Sequence, residues 1–205
     1  EYDFRRALLR SCNTYFISNG ITHAGIGNIV RLGQRLHLGE RVGLPTRQET
    51  AGIFPSLKRI RSNWFDGDTA NICIGQGELA VTPLQMAVLT AAIANGGKVL
   101  FPRLVDRIEP SDLALGEQPV VFPCSQVRDE LGVKPRNLEI LREAMLADVE
   151  DPEGTGRSAA VPGLRVCGKT GTAQVMDERN RIVGHNLWFI SFAPYEKPRY
   201  AVVVM

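Results

Sequence analysis

The sequence contains no long hydrophobic run, no CxxC cysteine pair and no large excess of charge of one sign. Its longest weakly polar stretch, residues 86–94, is too short to cross a bilayer, and residues 1–10 show no secretory signal pattern. We therefore expect any membrane anchor or signal to lie outside this chain. A net charge of +2 over 205 residues gives no electrostatic footprint for nucleic acid, so no nucleic-acid partner is expected.

The cysteines and histidines are too scattered for a recognisable metal site, and we expect neither a metal nor a cofactor. They are Cys12, His23, His37, Cys73, Cys124, Cys167 and His185. An even number of cysteines permits two disulfides. Spacing as wide as this favours small buried apolar side chains instead.

Three segments have the pattern of helices. In the clearest one, Thr82-Pro83-Leu84-Gln85 combines an N-cap hydroxyl, a first-turn proline and a glutamine three residues after the cap, and Asn95-Gly96-Gly97 ends the helix. Its predicted apolar stripe is Leu84, Ala87, Val88, Ala91 and Ala92. Two more helices are predicted over about residues 25–38 and 137–149, the latter with Leu138, Leu141, Met145 and Val149 inward. Residues 39–77 are rich in turn formers and predict a loop with short pieces of structure.

The last forty residues change in character. Residues 164–175, 186–193 and 200–205 are β-rich runs separated by short polar connections. Sequential strands joined by short turns are usually antiparallel neighbours, which predicts a three-stranded meander. The expected fold class is therefore α+β, with a mainly helical part at residues 1–160 and an antiparallel sheet at residues 161–205. Because the chain ends inside a hydrophobic strand, we expect its C-terminus to be a cut end.

The first candidate for chemistry is Gly168-Lys169-Thr170-Gly171-Thr172, in the first of these strands. Two glycines in a strand weaken it unless something must approach the backbone closely. An extended acylated peptide that ends in a carboxylate would suit such a strand edge, which offers a lysine, a hydroxyl and bare backbone. A KTG sequence on its own is much more typical of a solvated lysine between loop glycines.

The second candidate is Ser11-Cys12-Asn13, which offers a hydroxyl and an amide two residues apart. Serine and asparagine also favour helix caps and turns, so this triplet alone indicates little. The combination is more specific. Penicillin-recognising serine enzymes carry SxxK, then SxN, then KTG in chain order, and the last two occur here in that order.

The resemblance covers almost the whole chain and is to class B penicillin-binding proteins of the elongation type. It rests on Ser11-Cys12-Asn13-Thr14-Tyr15-Phe16, Gly52-Ile53-Phe54-Pro55-Ser56, Trp64, Asp68-Thr69, Ile74-Gly75-Gln76-Gly77, Val81-Thr82-Pro83-Leu84-Gln85-Met86-Ala87, the strand from Gly168 to Val175, and Trp188-Phe189-Ile190-Ser191-Phe192-Ala193-Pro194. It implies the penicillin-binding transpeptidase fold and serine acyl transfer that cross-links peptidoglycan stem peptides, with inhibition by β-lactams.

The resemblance also implies roles for six residues. Ser11 would relay a proton toward the leaving group, Asn13 would hold the donor amide, and Lys169 would assist the proton movement and add positive charge. The substrate would be bound by the rest of the KTG strand. Thr170 would bind its carboxylate, Gly171 would leave room for its backbone, and the Thr172 amide would donate into the oxyanion hole.

One element of the pattern is missing, because no serine in the sequence is followed three residues later by lysine. Ser56 comes closest, with arginine at position 59. We expect the nucleophilic serine upstream of Glu1, so that this chain is an incomplete domain that is inactive alone. A non-catalytic scaffold or a penicillin-binding sensor is the alternative, and a septal class B or a class A enzyme is the runner-up within the family.

Partners and location also follow from the resemblance alone. It implies peptidoglycan stem peptides, β-lactams and a membrane glycosyltransferase of the cell-elongation machinery as partners. It also implies a place on the periplasmic face of the bacterial cytoplasmic membrane, with an N-terminal anchor that this chain does not contain.

Overall fold

The computed structural model describes residues 2–44, 48–111, 118–179 and 181–205. The α-helices in this part are α1 (Phe4–Leu9), α2 (Asn13–Asn19), α3 (Ile26–Arg35), α4 (Asp66–Cys73), α5 (Pro83–Ala94) and α6 (Pro135–Glu150). The strands in the same part are β1 (Lys98–Leu100), β2 (Arg107–Ile108), β3 (Val120–Val121), β4 (Val127–Glu130), β5 (Cys167–Met176), β6 (Ile182–Ala193) and β7 (Tyr200–Val204). A π-helical turn at Gly20–Ala24 joins α2 to α3.

The predicted start of α5 is confirmed by its hydrogen bonds. Thr82 Oγ1 accepts from the Gln85 amide at 3.1 Å, and Gln85 Oε1 accepts from the Thr82 amide at 2.9 Å, which is a capping box. Gln85 is almost fully buried. Its buried Nε2 is satisfied because it donates to the carbonyls of Glu40 and Ala51. The predicted stripe is only partly correct, because Ala92 is buried whereas Leu84, Ala87, Val88 and Ala91 are half-buried. The buried residues of this helix are Gln85, Thr90, Ala92, Ile93 and Ala94.

The three-stranded meander is also confirmed. Its strand order is β5-β6-β7, and both pairs are antiparallel. Lys169 pairs with Ile190, and Thr172 pairs with Leu187. Within the described residues β5 is one outer strand of this sheet, and the molecule is α+β as predicted.

The core joins the helices to this sheet. Helix α6 packs against α1 on one side and β5 on the other, and α5 packs against β6 and β7. One buried cluster contains Leu8, Ile93, Ala94, Ala144, Met145, Leu146, Cys167 and Phe192. The predicted inward face of α6 is largely correct, because Leu138, Met145 and Val149 are buried and Leu141 packs on the cluster. Helix α6 thus connects α1, which ends near Ser11, to the strand that carries Lys169.

Residues 39–77 and 98–130 hold structure that the sequence patterns did not predict in detail. Helix α4 occupies part of the first region, and two small antiparallel ladders, β1 with β4 and β2 with β3, occupy the second. These strands are two to four residues long, which is too short for a recognisable alternation of polar and apolar residues. The predicted helix over residues 25–38 is real but shorter.

Two further features concern the cysteines and the membrane. Cys12, Cys73, Cys124 and Cys167 are all free thiols. In the part of the chain that the structure describes, no helix combines the length and apolarity that a bilayer crossing requires.

Candidate active site

Ser11 occupies a strained backbone position at the end of α1. Its φ is 49°, in the left-handed region that favours glycine. The Ser11 amide donates to the Leu8 carbonyl at 3.0 Å, and the Cys12 amide donates to the Ala7 carbonyl at 2.8 Å. These two bonds form a Schellman motif with Ser11 at the residue where glycine is usual. Strain of this kind persists where the surroundings impose it.

Lys169 and Ser11 are in direct contact, as the carried-over roles require. The Lys169 Nζ donates to Ser11 Oγ, and it also donates to the carbonyl of Thr170 at 3.1 Å. Lys169 lies on β5 and its side chain is 19% exposed, whereas Ser11 is exposed. The two motifs are 158 residues apart in the chain and meet at one point of the surface.

The charge of Lys169 determines the direction of the Ser11 hydroxyl proton. An ammonium group has only donors, so Ser11 Oγ accepts from it and its own proton is free to point elsewhere. Were the amine neutral, it would accept that proton instead. The charged form of Lys169 therefore leaves Ser11 as a hydrogen-bond donor toward the open side of the site.

Two opposing effects act on the Lys169 ammonium. Burial lowers the pKa of Lys169 below its ordinary value, and the nearby Asp148 carboxylate raises it in part. The distance from Lys169 Nζ to Asp148 Oδ1 is 3.8 Å, and the Asp148 side chain is fully buried. The site thus has a buried negative charge behind its lysine, which the sequence motifs do not contain.

Thr155 connects these groups. Its Oγ1 lies 2.7 Å from Asp148 Oδ1, 2.6 Å from Thr170 Oγ1 and 3.2 Å from Lys169 Nζ. The Asp148 carboxylate can only accept, so Thr155 donates its proton to it. In the contact between the two threonines, the Thr170 hydroxyl is then the donor. Thr170 must turn its proton outward before it can bind a carboxylate.

The outer edge of β5 is open to an added strand over part of its length. Gln76 Nε2 donates to the Thr172 carbonyl at 3.0 Å, and Gln76 Oε1 accepts from the Gln174 amide at 3.2 Å. Backbone groups alternate sides along a strand, so the groups of Thr170 and Thr172 point away from β6. In the described residues no strand covers this edge from Lys169 to Thr172, as predicted.

The two glycines of the KTG strand are there for different reasons. A Cβ at Gly168 would overlap the Phe189 ring and come within 3.2 Å of Val149 Cγ2, so close packing inside the chain requires glycine. At Gly171 a Cβ would meet Trp188 Cβ at 3.4 Å, which is an ordinary contact. Nothing in the described fold requires glycine at 171, which favours a requirement imposed by a ligand.

The remaining candidate residues lie where their motifs predict. Asn13 is exposed and begins α2, two residues after Ser11. Thr172 is exposed on β5. Their contacts with substrate remain predictions.

Sequence reasoning missed Thr155, Asp148 and the role of Gln76. A signal for Gln76 was present in the Ile74-Gly75-Gln76-Gly77 sequence, and one for Thr155 in the glycines on either side of it.

Comparison with known proteins identifies the family over the full length of the chain. Residues 1–205 match the family model described as penicillin binding protein transpeptidase domain. Peptidoglycan D,D-transpeptidase MrdA of Haemophilus influenzae is 33% identical over 220 residues, an alignment that covers 100% of this chain and 33% of that protein. The chain therefore spans about a third of the length of such curated relatives.

Solved structures of penicillin-binding proteins have the same fold as this chain. PBP2 of Pseudomonas aeruginosa has a TM-score of 0.82 and 31% identity, covering 100% of this chain and 44% of that one. Penicillin binding protein 3 of Mycobacterium tuberculosis, solved in complex with ampicillin, has a TM-score of 0.84 and 27% identity, with 98% and 44% covered.

Proposed function

Because this chain belongs to the family of penicillin-binding protein transpeptidase domains, of the PBP2/MrdA class B type, we propose that the whole protein is a peptidoglycan D,D-transpeptidase. The observation that carries the proposal is the contact between Lys169 and Ser11. It brings the KTG and SxN motifs together beside an open strand edge, which is the arrangement that acyl transfer from an extended peptide needs.

In the proposed reaction, an upstream serine gives its proton to the lysine three residues after it and attacks the penultimate D-alanine carbonyl of a stem peptide, and D-alanine leaves. The lysine's proton replaces the one that Ser11 passes on. An amine of a second strand then gives its proton to the same groups in reverse and takes the acyl group. Ser11 passes a proton to the leaving amine, because its hydroxyl proton is directed away from Lys169. Asn13 holds the donor amide. The Lys169 charge and the turned Thr170 hydroxyl bind the terminal carboxylate.

The exposed edge of β5 completes the binding of the donor peptide. Its backbone pairs along the edge at Thr170, before the Thr172 carbonyl that Gln76 occupies, and the open space at Gly171 admits it. The Thr172 amide is one of the oxyanion donors, and the other is the nucleophile's own amide.

The nucleophile itself lies outside these 205 residues in our proposal. No serine here is followed three residues later by lysine, and Ser11 has its hydroxyl engaged by Lys169 from the other motif. We infer that residues 1–205 form one partial transpeptidase domain, and that an SxxK serine upstream of Glu1 makes it a serine-type enzyme. Alone, the chain is inactive.

The partners and the location are those of a cell-wall enzyme. β-Lactams mimic the donor peptide, and the related M. tuberculosis protein was solved with ampicillin and with aztreonam. PBP2 of Helicobacter pylori was solved in complex with MreC, which supports a protein partner for this chain as well. We propose a membrane glycosyltransferase of the cell-elongation machinery as a further partner, on the resemblance to the family alone. We place the protein on the periplasmic face of the cytoplasmic membrane, anchored by an N-terminal segment.

A Lys169→Ala variant of the full-length protein tests this function. Loss of the charge and of the donor to Ser11 is expected to lower the rate constant of acylation by benzylpenicillin about a hundredfold or more. Lys197→Ala is the matched control, because Lys197 is an exposed lysine after β6. Equal acylation of the two variants would contradict the proposal. Fast acylation of a variant by benzylpenicillin, with no cross-linking of stem peptides by either variant, would indicate a sensor instead.

A further inference from the structure

Asp148 is a carboxylate that no motif assigns, and it lies behind the proposed site. It is in the last turn of α6, with its side chain fully buried. The C-terminal end of a helix is unfavourable for negative charge, because the helix dipole is negative there. A buried carboxylate in such a place needs a positive partner, and Lys169 at 3.8 Å provides it.

The chain folds closely around this carboxylate. Asp148 Oδ1 accepts from the Thr155 amide at 3.1 Å and from Thr155 Oγ1 at 2.7 Å. A Cβ on Gly154 would overlap the Asp148 carbonyl, and one on Gly156 would lie 2.7 Å from Asp148 Oδ2. Because both residues are glycines, the loop after α6 can lie close against Asp148. Asp148 Oδ2 is buried and has no hydrogen-bond partner in the described residues, so hydrogen bonds satisfy only one of the two carboxylate oxygens.

We propose that Asp148 is a positioning residue for the transpeptidase reaction, which keeps Lys169 in its charged form and orders the Thr155 and Thr170 hydroxyls beside it. This inference rests on the proposed function. It extends that function by adding a residue that touches no substrate.

The physical argument has two parts. A buried ammonium is favoured by a buried carboxylate close to it, since the low dielectric strengthens their attraction. A charged Lys169 donates to Ser11 Oγ and leaves the Ser11 proton for the leaving group. Without the carboxylate, burial alone acts on Lys169, and its neutral form would draw that proton back.

Other charged residues on the elements around Lys169 form ion pairs near the surface. These pairs include Arg5 with Asp151, Arg6 and Arg10 with Glu153, Arg142 with Glu139, and Arg165 with Glu150. Helix α6 also carries Arg136 and Glu143. All of them are present in every variant below except Asp151, which the control changes.

The test compares Asp148→Asn with Asp151→Asn in the full-length protein. Asparagine at 148 keeps an oxygen that accepts from Thr155 and removes the charge. Asp151 is three residues along, accepts from the Glu153 amide and pairs with Arg5, so its change is chemically identical but remote from Lys169. The readout is the rate constant of acylation by benzylpenicillin as a function of pH, alongside the thermal unfolding midpoint.

We expect Asp148→Asn to move the alkaline limb of the profile to lower pH and to lower the acylation rate several-fold at pH values on that limb, because burial then acts on the Lys169 ammonium without the opposing carboxylate. The sign follows from Lys169. Losing the carboxylate lowers the pKa of Lys169, so its charge is lost at a lower pH.

Asp151→Asn is expected to leave the limb unmoved. If Asp148→Asn does not fold, Asp148→Ser carries the same test, because it also removes the charge and leaves a smaller side chain. An unmoved alkaline limb in a folded Asp148 variant would overturn the proposal, even if the rate falls. Failure of the proposed function would show differently, as no acylation of the unaltered protein at any pH.

Discussion

Ser11 shows how one residue can be placed for chemistry at the expense of stability. A non-glycine residue in the left-handed region costs on the order of 1 kcal/mol, and glycine at the end of a helix avoids that cost. The Schellman motif at the end of α1 holds the Ser11 hydroxyl against Lys169 despite this strain. If the proposed role of Ser11 is correct, this position is a compromise between stability and function.

This compromise predicts an unusual order of stability among two variants. Ser11→Gly and Ser11→Ala both lose the hydroxyl and its contact with Lys169, but only the first relieves the backbone. We expect the glycine variant to be the more stable by about 1 kcal/mol, or roughly 2–4 °C in the thermal midpoint of the domain. Both variants should lose most transpeptidase activity. A glycine variant that melts at or below the alanine variant would show that Ser11 is not strained.

At the scale of single residues, the sequence revealed the part of the site that lies in short motifs. Ser11 and Asn13 are two residues apart, and Lys169, Thr170 and Thr172 lie within four residues of one another. Each group is therefore recognisable as a sequence motif. The Asp148 and Thr155 contacts depend on how α6 meets β5, which no local spacing encodes. The signal for Asp148 was an acid between the inward-facing Met145 and Val149, in a helix turn that disfavours acids.

Strand β5 is the element that serves both the fold and the ligand. Its inner edge pairs with β6 along its whole length, and part of its outer edge is fastened by Gln76. The Gln76 amide takes the place of a neighbouring strand at Thr172 and Gln174. This contact limits an added peptide to the section of the edge at and before Thr172.

The two glycines of β5 give a matched pair of variants. Gly168→Ala should destabilise the domain by about 1–3 kcal/mol, because the added methyl overlaps the Phe189 ring in a packed interior. Gly171→Ala should unfold at nearly the unaltered temperature, since its methyl meets only an ordinary contact with Trp188.

The rate of acylation by benzylpenicillin distinguishes the two glycine variants further. It should fall clearly in Gly171→Ala, where the methyl occupies space meant for the ligand. Wild-type acylation kinetics in this variant would remove the ligand explanation for Gly171. Thermal melting and acylation rates of the two purified variants give both comparisons.

Elements were predictable from the sequence where their signals are local and strong. The capping box of α5 and the turns between β5, β6 and β7 fixed their positions to within a few residues. The ladders of β1 with β4 and β2 with β3 depend on pairing between short segments far apart in the chain. Helix α4 lies in a stretch rich in turn formers, and its packing against α2 outweighs those local preferences.

In the described part of the molecule, the helices α5 and α6 pack against the three-stranded sheet, and α6 connects that sheet to α1. Its outermost strand in the described part, β7, exposes Tyr200, Val202 and Val204 at 66%, 50% and 59%. These residues alternate along β7 and so share one face of the sheet. The sheet therefore exposes a row of apolar side chains along β7.

The central claim is that this chain supplies the proton-relay and carboxylate-binding half of an acylation site whose nucleophile is elsewhere. The most direct measurement is intact mass followed by peptide mapping, after incubation of the 205-residue chain and of the full-length protein with benzylpenicillin. We predict one penicillin on the full-length protein, attached to a serine upstream of Glu1 that precedes a lysine by three positions, and no added mass on the 205-residue chain. A penicillin attached to Ser11 in either protein would contradict the account.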